Sequence, residues 1–172
     1  MPLKDWDIQI NYGIKTGCNE AFIINTDKRN EILANCKDEA ERKRTEELIR
    51  PILRGRDIKR YGYEWAGLWL INTHNGIKGR IPRIDINDYP AVKAHLDQYW
   101  DKISKRADKG DTPYNLRNCA YMDLFFQPHI CWKAVGRKLA FALVEAGTFL
   151  TAPASFISAG RYNKMVLAFL CS

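Results

Sequence analysis

Trp6, Ile8, Ile10 and Tyr12 alternate with Asp7, Gln9 and Asn11, the period of a strand that is apolar on one face only. Such a strand is stable only inside a sheet, so the rest of the chain has to provide partners for it. Gly13 and Gly17 then bracket a turn, Ile14-Lys15-Thr16, and Ala21–Asn25 reads as a second strand. After that the period changes. Thr26 or Asp27 suits the N-cap of a helix from about Lys28 to Cys36. A second, highly charged helix is expected from Asp38 to about Leu53, with Leu48, Ile49, Ile52 and Leu53 as its buried end and Pro51 bending or ending it. A third is expected from Pro90 to about Ala107, where Val92, Leu96, Tyr99, Trp100 and Ile103 recur at helical spacing. Gly67–Asn72, Pro128–Trp132, Leu139–Glu145 and Ser155–Ser158 supply further strands, with turns at Gly136 and Gly147. Asn72–Asn87 is polar and punctuated by glycine, without an assignable period, and Lys109–Cys119 reads as a loop. The apolar helix that begins at Arg161 reaches Ser172 with no C-cap signal, so the chain is expected to be a C-terminally incomplete fragment of a larger protein.

A chain of 172 residues accommodates one compact domain and is short for two. Its net charge is +7, and the excess is localised. Residues 28–60 carry eleven Lys/Arg against seven Asp/Glu, and residues 93–138 carry nine against five, so each segment has +4 and the remainder sums to −1. Basic segments of this kind attract polyanions through counterion release, although a solvated basic surface has the same composition. Five cysteines without a CxxC pair, and a charged N-terminal stretch without an apolar core, argue against secretion, disulfides and a zinc ribbon. The longest apolar run, Met165–Cys171, is too short to span a bilayer. A reduced, cytoplasmic setting is expected.

No arrangement for catalysis emerges. The sequence has no G-x-x-x-x-G-K-[ST] phosphate loop and no G-x-G-x-x-G after a strand. His74, His95 and His129 lie far apart, without a second His or Cys at metal-binding spacing. Asp111, Asp123 and Glu145 are isolated, and Asp85 and Asp88 fall on a polar loop. Ser155 lacks the glycine-flanked elbow of a hydrolase nucleophile. Thr112-Pro113-Tyr114 matches only part of the Pro-Pro-aromatic motif of amino-methyltransferases, lacking its second proline and its leading Asp or Asn. The chain alone is not expected to be an enzyme, and no metal or cofactor is expected in it.

Binding chemistry is better represented. In Gly13-Ile14-Lys15-Thr16-Gly17-Cys18-Asn19, glycines allow backbone N–H groups close to a phosphate, while Lys15, Thr16 and Asn19 add charge and polar groups. Arg54, Arg56, Lys59 and Arg60 fall within seven residues, and arginine can fork onto guanine or phosphate. Arg117 stands between Asn115 and Asn118, and Lys133 and Arg137 follow Trp132. Each group also has a plain structural reading, as a hairpin turn or a solvated basic loop.

The same segments, in the same order, resemble a known family. G-I-K-T-G-C-N-E-A-F-I-I looks like the opening signature of the TaqI-like specificity domain of type IIG restriction-modification enzymes and adenine-N6 DNA methyltransferases, and L-I-R-P-I-L-R-G-R-D-I-K-R-Y (Leu48–Tyr61) looks like its second. Tyr89-Pro90-Ala91-Val92, His95-Leu96 and Phe126-Gln127-Pro128-His129-Ile130 fit later landmarks, so the resemblance runs from about Ile8 to Leu170. It implies an α+β fold, a single domain with a curved, largely antiparallel sheet and peripheral helices. It also implies a target-recognition domain that grips duplex DNA beside an adenine-N6 methyltransferase domain of the same parent protein, which would bind S-adenosylmethionine. Lys15, Thr16, Asn19, Arg54, Arg56, Lys59 and Arg60 would then face the DNA backbone, with Arg117, Lys133 and Arg137 as further contacts. Base-reading residues would lie in stretches such as Ile77–Arg83 and Lys109–Arg117. The alternative is a single-stranded nucleic-acid binder, which would display aromatic residues along a basic groove.

Overall fold

The opening alternation becomes strand β1 (Gln9–Tyr12), paired antiparallel with the later strand Ser155–Ser158 through Ile10 opposite Ile157 and Tyr12 opposite Ser155. β1 lies at the edge of its sheet, and Ile10 and Tyr12 are 64% and 67% exposed, so the apolar face read from the alternation faces outward along this strand. Ile8 instead packs against the core, and Trp6 lies outside the described residues. The computed structural model describes residues 8–134, 139–160 and 163–171.

The next elements are a single helical turn α1 (Asn19–Phe22), strand β2 (Ile23–Asn25), α2 (Thr26–Ala34) and α3 (Glu39–Leu48). Then come β3 (Ile49–Leu53), the short hairpin β4 (Ile58–Lys59) and β5 (Gly62–Tyr63), β6 (Leu68–Ile71), α4 (Pro90–Asp97) and α5 (Trp100–Ile103). β7 (His129–Trp132), β8 (Phe141–Val144), β9 (Phe149–Leu150), β10 (Ser155–Ser158) and α6 (Asn163–Cys171) complete the order. The α+β class and the antiparallel character of the sheets hold. The strands are divided among separate sheets, in two compact units whose segments interleave along the chain.

One unit comprises the described residues of Met1–Ile14, Ile52–Ala66 and Tyr121–Ser172. Its sheet runs β1-β10-β7-β8 with every neighbour antiparallel. β9 pairs in parallel with the end of β3, Ile52 opposite Phe149. An aromatic cluster fills the centre: Phe125 stacks on Phe149 and tilts against Phe156, both at 4.5 Å, with His129 edge-on to Phe125 and Phe156. α6 closes the sheet by setting Val166 on Ile130, Ile157 and Ala159. The Asn163 side chain fixes its start, donating to Pro128 O and accepting from Ala159 N–H.

The other unit comprises Lys15–Pro51 and Gly67–Ala120. β6 is flanked antiparallel by β2 and by Ile49–Pro51 of β3. The α2 helix starts earlier than its sequence suggests, because Asn25 is the N-cap and accepts from Lys28 N–H at 2.8 Å. Asp38 caps α3 in the same way through Glu41 N–H. The charged helix expected to reach Leu53 ends at Leu48, and its apolar end is strand β3. Pro51 cannot donate to a helix or a ladder, and it sits where β3 changes partner, which a missing N–H permits. The helix expected over 90–107 is two, interrupted at Gln98 and Tyr99, with Val92, Leu96 and Ile103 of its stripe fully buried. Glu41 is also fully buried. It accepts from Ala91 N–H and from Lys37 N–H, both at 2.9 Å, and so ties α3 to the first turn of α4.

Candidate nucleic-acid interface

The basic loop after β3 belongs to the first unit, and its two nearest arginines differ in kind. Arg54 is half-buried and forks onto Asp57, from Nε to Oδ2 at 3.0 Å and from Nη2 to Oδ1 at 2.8 Å. The Arg54 amide adds a third bond to Asp57 Oδ2, so this pair closes the 3-10 turn Gly55–Asp57. Burial favours the neutral form of the Asp57 carboxyl, but hydrogen bonds and charge from Arg54 outweigh it and hold the carboxyl below its usual range. Arg56, Lys59 and Arg60 point outward. The Lys59 ammonium bonds to Arg56 O and lies 3.7 Å from the exposed Glu64 carboxylate. Arg60 lies 5.0 Å over the ring of Tyr61, a residue in the left-handed region at φ 69°. A Cβ placed on Gly55 would sit 3.5 Å from that of Lys133, so the loop runs against the end of β7. The structure thus sets Lys133 beside the loop that carries Arg56, Lys59 and Arg60, a basic strip that also holds the exposed Glu64 carboxylate. Arg137 lies outside the described residues.

The glycine-bracketed turn is built differently from its sequence reading. Lys15 and Asn19 are exposed, but Thr16 is buried and its hydroxyl is used locally, donating to Asn19 Oδ1 at 2.6 Å and accepting from Cys18 N–H. Behind it lies Arg106, a buried cation whose guanidinium donates to the carbonyls of Thr16, Asp108, Pro113 and Asn115 and stacks 4.3 Å over the ring of Phe22. Burial lowers its pKa to about 10, which leaves it charged at neutral pH. Arg106 therefore fastens the turn Thr16–Asn19 to the loop 108–115. Only the local density of polar residues hints at this role in the sequence.

The unassigned stretch 72–87 contains an exposed basic feature of the second unit. Ile77 and Ile81 bridge antiparallel, with Ile77 N–H bonded to Ile81 O at 2.8 Å and Ile81 N–H returning to Ile77 O at 2.9 Å. Lys78, Gly79 and Arg80 form the tip, and all three are exposed. Gly79 has φ 78°, as the third position of a type II turn requires, and a Cβ there would meet nothing within 4 Å. The base of the hairpin is braced by amide and acid groups. The Asn75 side chain donates to Asp111 Oδ1 and Asn118 Oδ1 and accepts from Asp111 N–H, and Arg83 pairs with Asp111 Oδ2 at 3.2 Å. These residues line an open concavity of about 600 Å³. Arg117 is exposed nearby in sequence and pairs with Asp108 at 3.0 Å. The two stretches expected to read bases, Ile77–Arg83 and Lys109–Arg117, are thereby brought together at Asp111.

The fold has a known likeness. Among solved structures it matches part of MmeI, a type IIL restriction-modification enzyme solved in complex with DNA, with a TM-score of 0.61 and 14% sequence identity. The match covers 95% of this chain and 20% of that one, so the chain spans about a fifth of the MmeI chain's length. At this identity the likeness establishes a shared fold. No family model and no curated protein matches the sequence.

The remaining titratable groups are placed as packing elements. Burial lowers the pKa of His74, His95 and His129, and it raises that of the Cys131 thiol to about 12. Among the described residues, no three His, Cys, Asp or Glu side chains gather as a metal site would need, and no helix is long and apolar enough to cross a membrane.

Proposed function

We propose that this chain is a target-recognition module for duplex DNA, acting beside an adenine-N6 methyltransferase domain of the same parent protein. The observation that carries this reading is the fold shared over 95% of the chain with part of a restriction-modification enzyme bound to DNA. The placement of the basic residues supports it. Arg56, Lys59, Arg60 and Lys133 form a strip of donors suited to phosphate oxygens, and Lys78 and Arg80 cap a narrow hairpin. In this reading the chain has no catalytic centre of its own. The S-adenosylmethionine site and the chemistry belong to the partner domain, which reaches its adenine by flipping it from the stack. The module grips the neighbouring duplex and fixes its register.

Tyr61 beside Arg60 gives the single-stranded alternative its one specific observation, an exposed aromatic ring in a basic loop. Fluorescence anisotropy with labelled duplex, and with each of its strands alone, separates the two. Duplex binding at least several-fold tighter than either strand is expected, whereas a preference for single strands would replace the present reading.

A further inference from the structure

The two basic surfaces differ in what they offer a nucleic acid. The strip Arg56, Lys59, Arg60 and Lys133 is mainly cationic: the Asp57 carboxylate is buried and occupied by Arg54, and the exposed Glu64 carboxylate lies 3.7 Å from Lys59. A phosphate accepts and never donates, so such a surface suits the backbone. The concavity beside the hairpin Ile77–Ile81 mixes donors with acceptors. Lys78, Arg80 and Arg83 stand beside the Asp111 carboxylate and the side-chain amides of Asn75 and Asn118. Base edges present both donors and acceptors, and mixed sets of this kind tell base pairs apart in the major groove.

Shape points the same way. The hairpin is a tight turn closed by a single antiparallel bridge, Ile77 to Ile81, and its tip carries a glycine with open space around it. Two bridged arms are narrow enough to enter the major groove. Reading also requires a fixed direction, and the hairpin base is held by three hydrogen bonds through Asn75 and by the Arg83–Asp111 pair. Gly76 is at φ 75° with the Ile81 carbonyl packed against it, so any side chain there would push the two arms apart.

We infer that this hairpin is the base-reading element of the module, with Lys78 and Arg80 donating to base edges in the major groove. The inference rests on the duplex-recognition reading above. It makes Lys78 and Arg80 specificity-determining residues, and it makes Asn75 and Asp111 positioning residues.

Selection from a duplex pool with a randomised centre tests this, using the chain and two double variants. Lys78→Ala/Arg80→Ala removes the tip charges. Lys78→Arg/Arg80→Lys changes the donor geometry that tells base edges apart and keeps the charge that sets counterion release. The unaltered chain should enrich a motif. Both variants should lose discrimination at one or more of its positions by about tenfold. The charge-preserving variant should bind the unselected pool within about twofold of the unaltered chain, since its phosphate contacts are intact. A motif that both variants keep would overturn the hairpin assignment while leaving duplex recognition standing. So would salt-dependent duplex binding by the unaltered chain with no motif at all. Failure of the unaltered chain to bind duplex would overturn the recognition reading and this inference together.

Discussion

Arg54 and Arg56 stand two residues apart, and their guanidiniums face different partners. Arg54 satisfies a carboxylate that is only 5% exposed, so Arg54→Ala strands a buried charge and should cost about 1–3 kcal/mol of stability. Arg56 is exposed, and Arg56→Ala should leave stability within about 0.5 kcal/mol while weakening DNA binding. Urea denaturation beside anisotropy titration separates the two effects, and equal stability losses would contradict the division. His129 gives a second handle at this scale. Its proton is held less tightly in the folded chain, because burial between Phe125 and Phe156 disfavours the imidazolium. His74 and His95 shift in the same direction. The unfolded chain therefore binds more protons as pH falls below its histidine pKa of 6.5, and stability present above that value is lost on the acid side. The urea midpoint should be lower at pH 5.5 than at pH 8, and His129→Phe should reduce the difference. A midpoint that rises on acidification would contradict this sign.

Among the elements, those with strong periodicity are legible in the sequence. Ser155–Ser158 forms as read, and His129–Trp132 and Phe141–Val144 fall within their expected spans. What local pattern hides is the choice of partner. Leu48, Ile49, Ile52 and Leu53 continue a helical stripe on paper, yet strand pairing with β6 and β9 captures all but the first. The strand expected over Ala21–Asn25 forms only from Ile23, because Asn19–Phe22 closes one helical turn with Ala21 and Phe22 N–H both bonded to Cys18 O. The candidate site is legible in part for the same reason. Runs of Arg and Lys show in the sequence, but which of them are spent on Asp57 or on buried carbonyls depends on contacts distant in the chain. Arg106 is the clearest case, bonded to Thr16 O across ninety residues of sequence. Replacing it by Met keeps the bulk over Phe22 but removes a donor from four carbonyls, of which Asn115 O keeps Gly110 N–H, and should cost about 3 kcal/mol or more. Hydrogen exchange should quicken at 16–19 and 108–116 together. Faster exchange in one segment alone would show that Arg106 does not join them.

At the scale of the whole molecule, each compact unit of the α+β frame carries a basic surface, the loop with Arg56, Lys59 and Arg60 in one and the hairpin with Lys78 and Arg80 in the other. In the proposed reading the first grips phosphates and the second reads bases. The central claim, that the chain binds duplex DNA through its exposed basic residues, is tested most directly by the salt dependence of binding. Duplex affinity should be measured across a range of salt concentrations for the chain and for Arg56→Ala/Arg60→Ala. The logarithm of affinity should fall steeply and linearly with the logarithm of salt, and the double variant should lose about two units of slope, close to one per phosphate contact removed. A slope near zero, or one unchanged by the double substitution, would contradict the account.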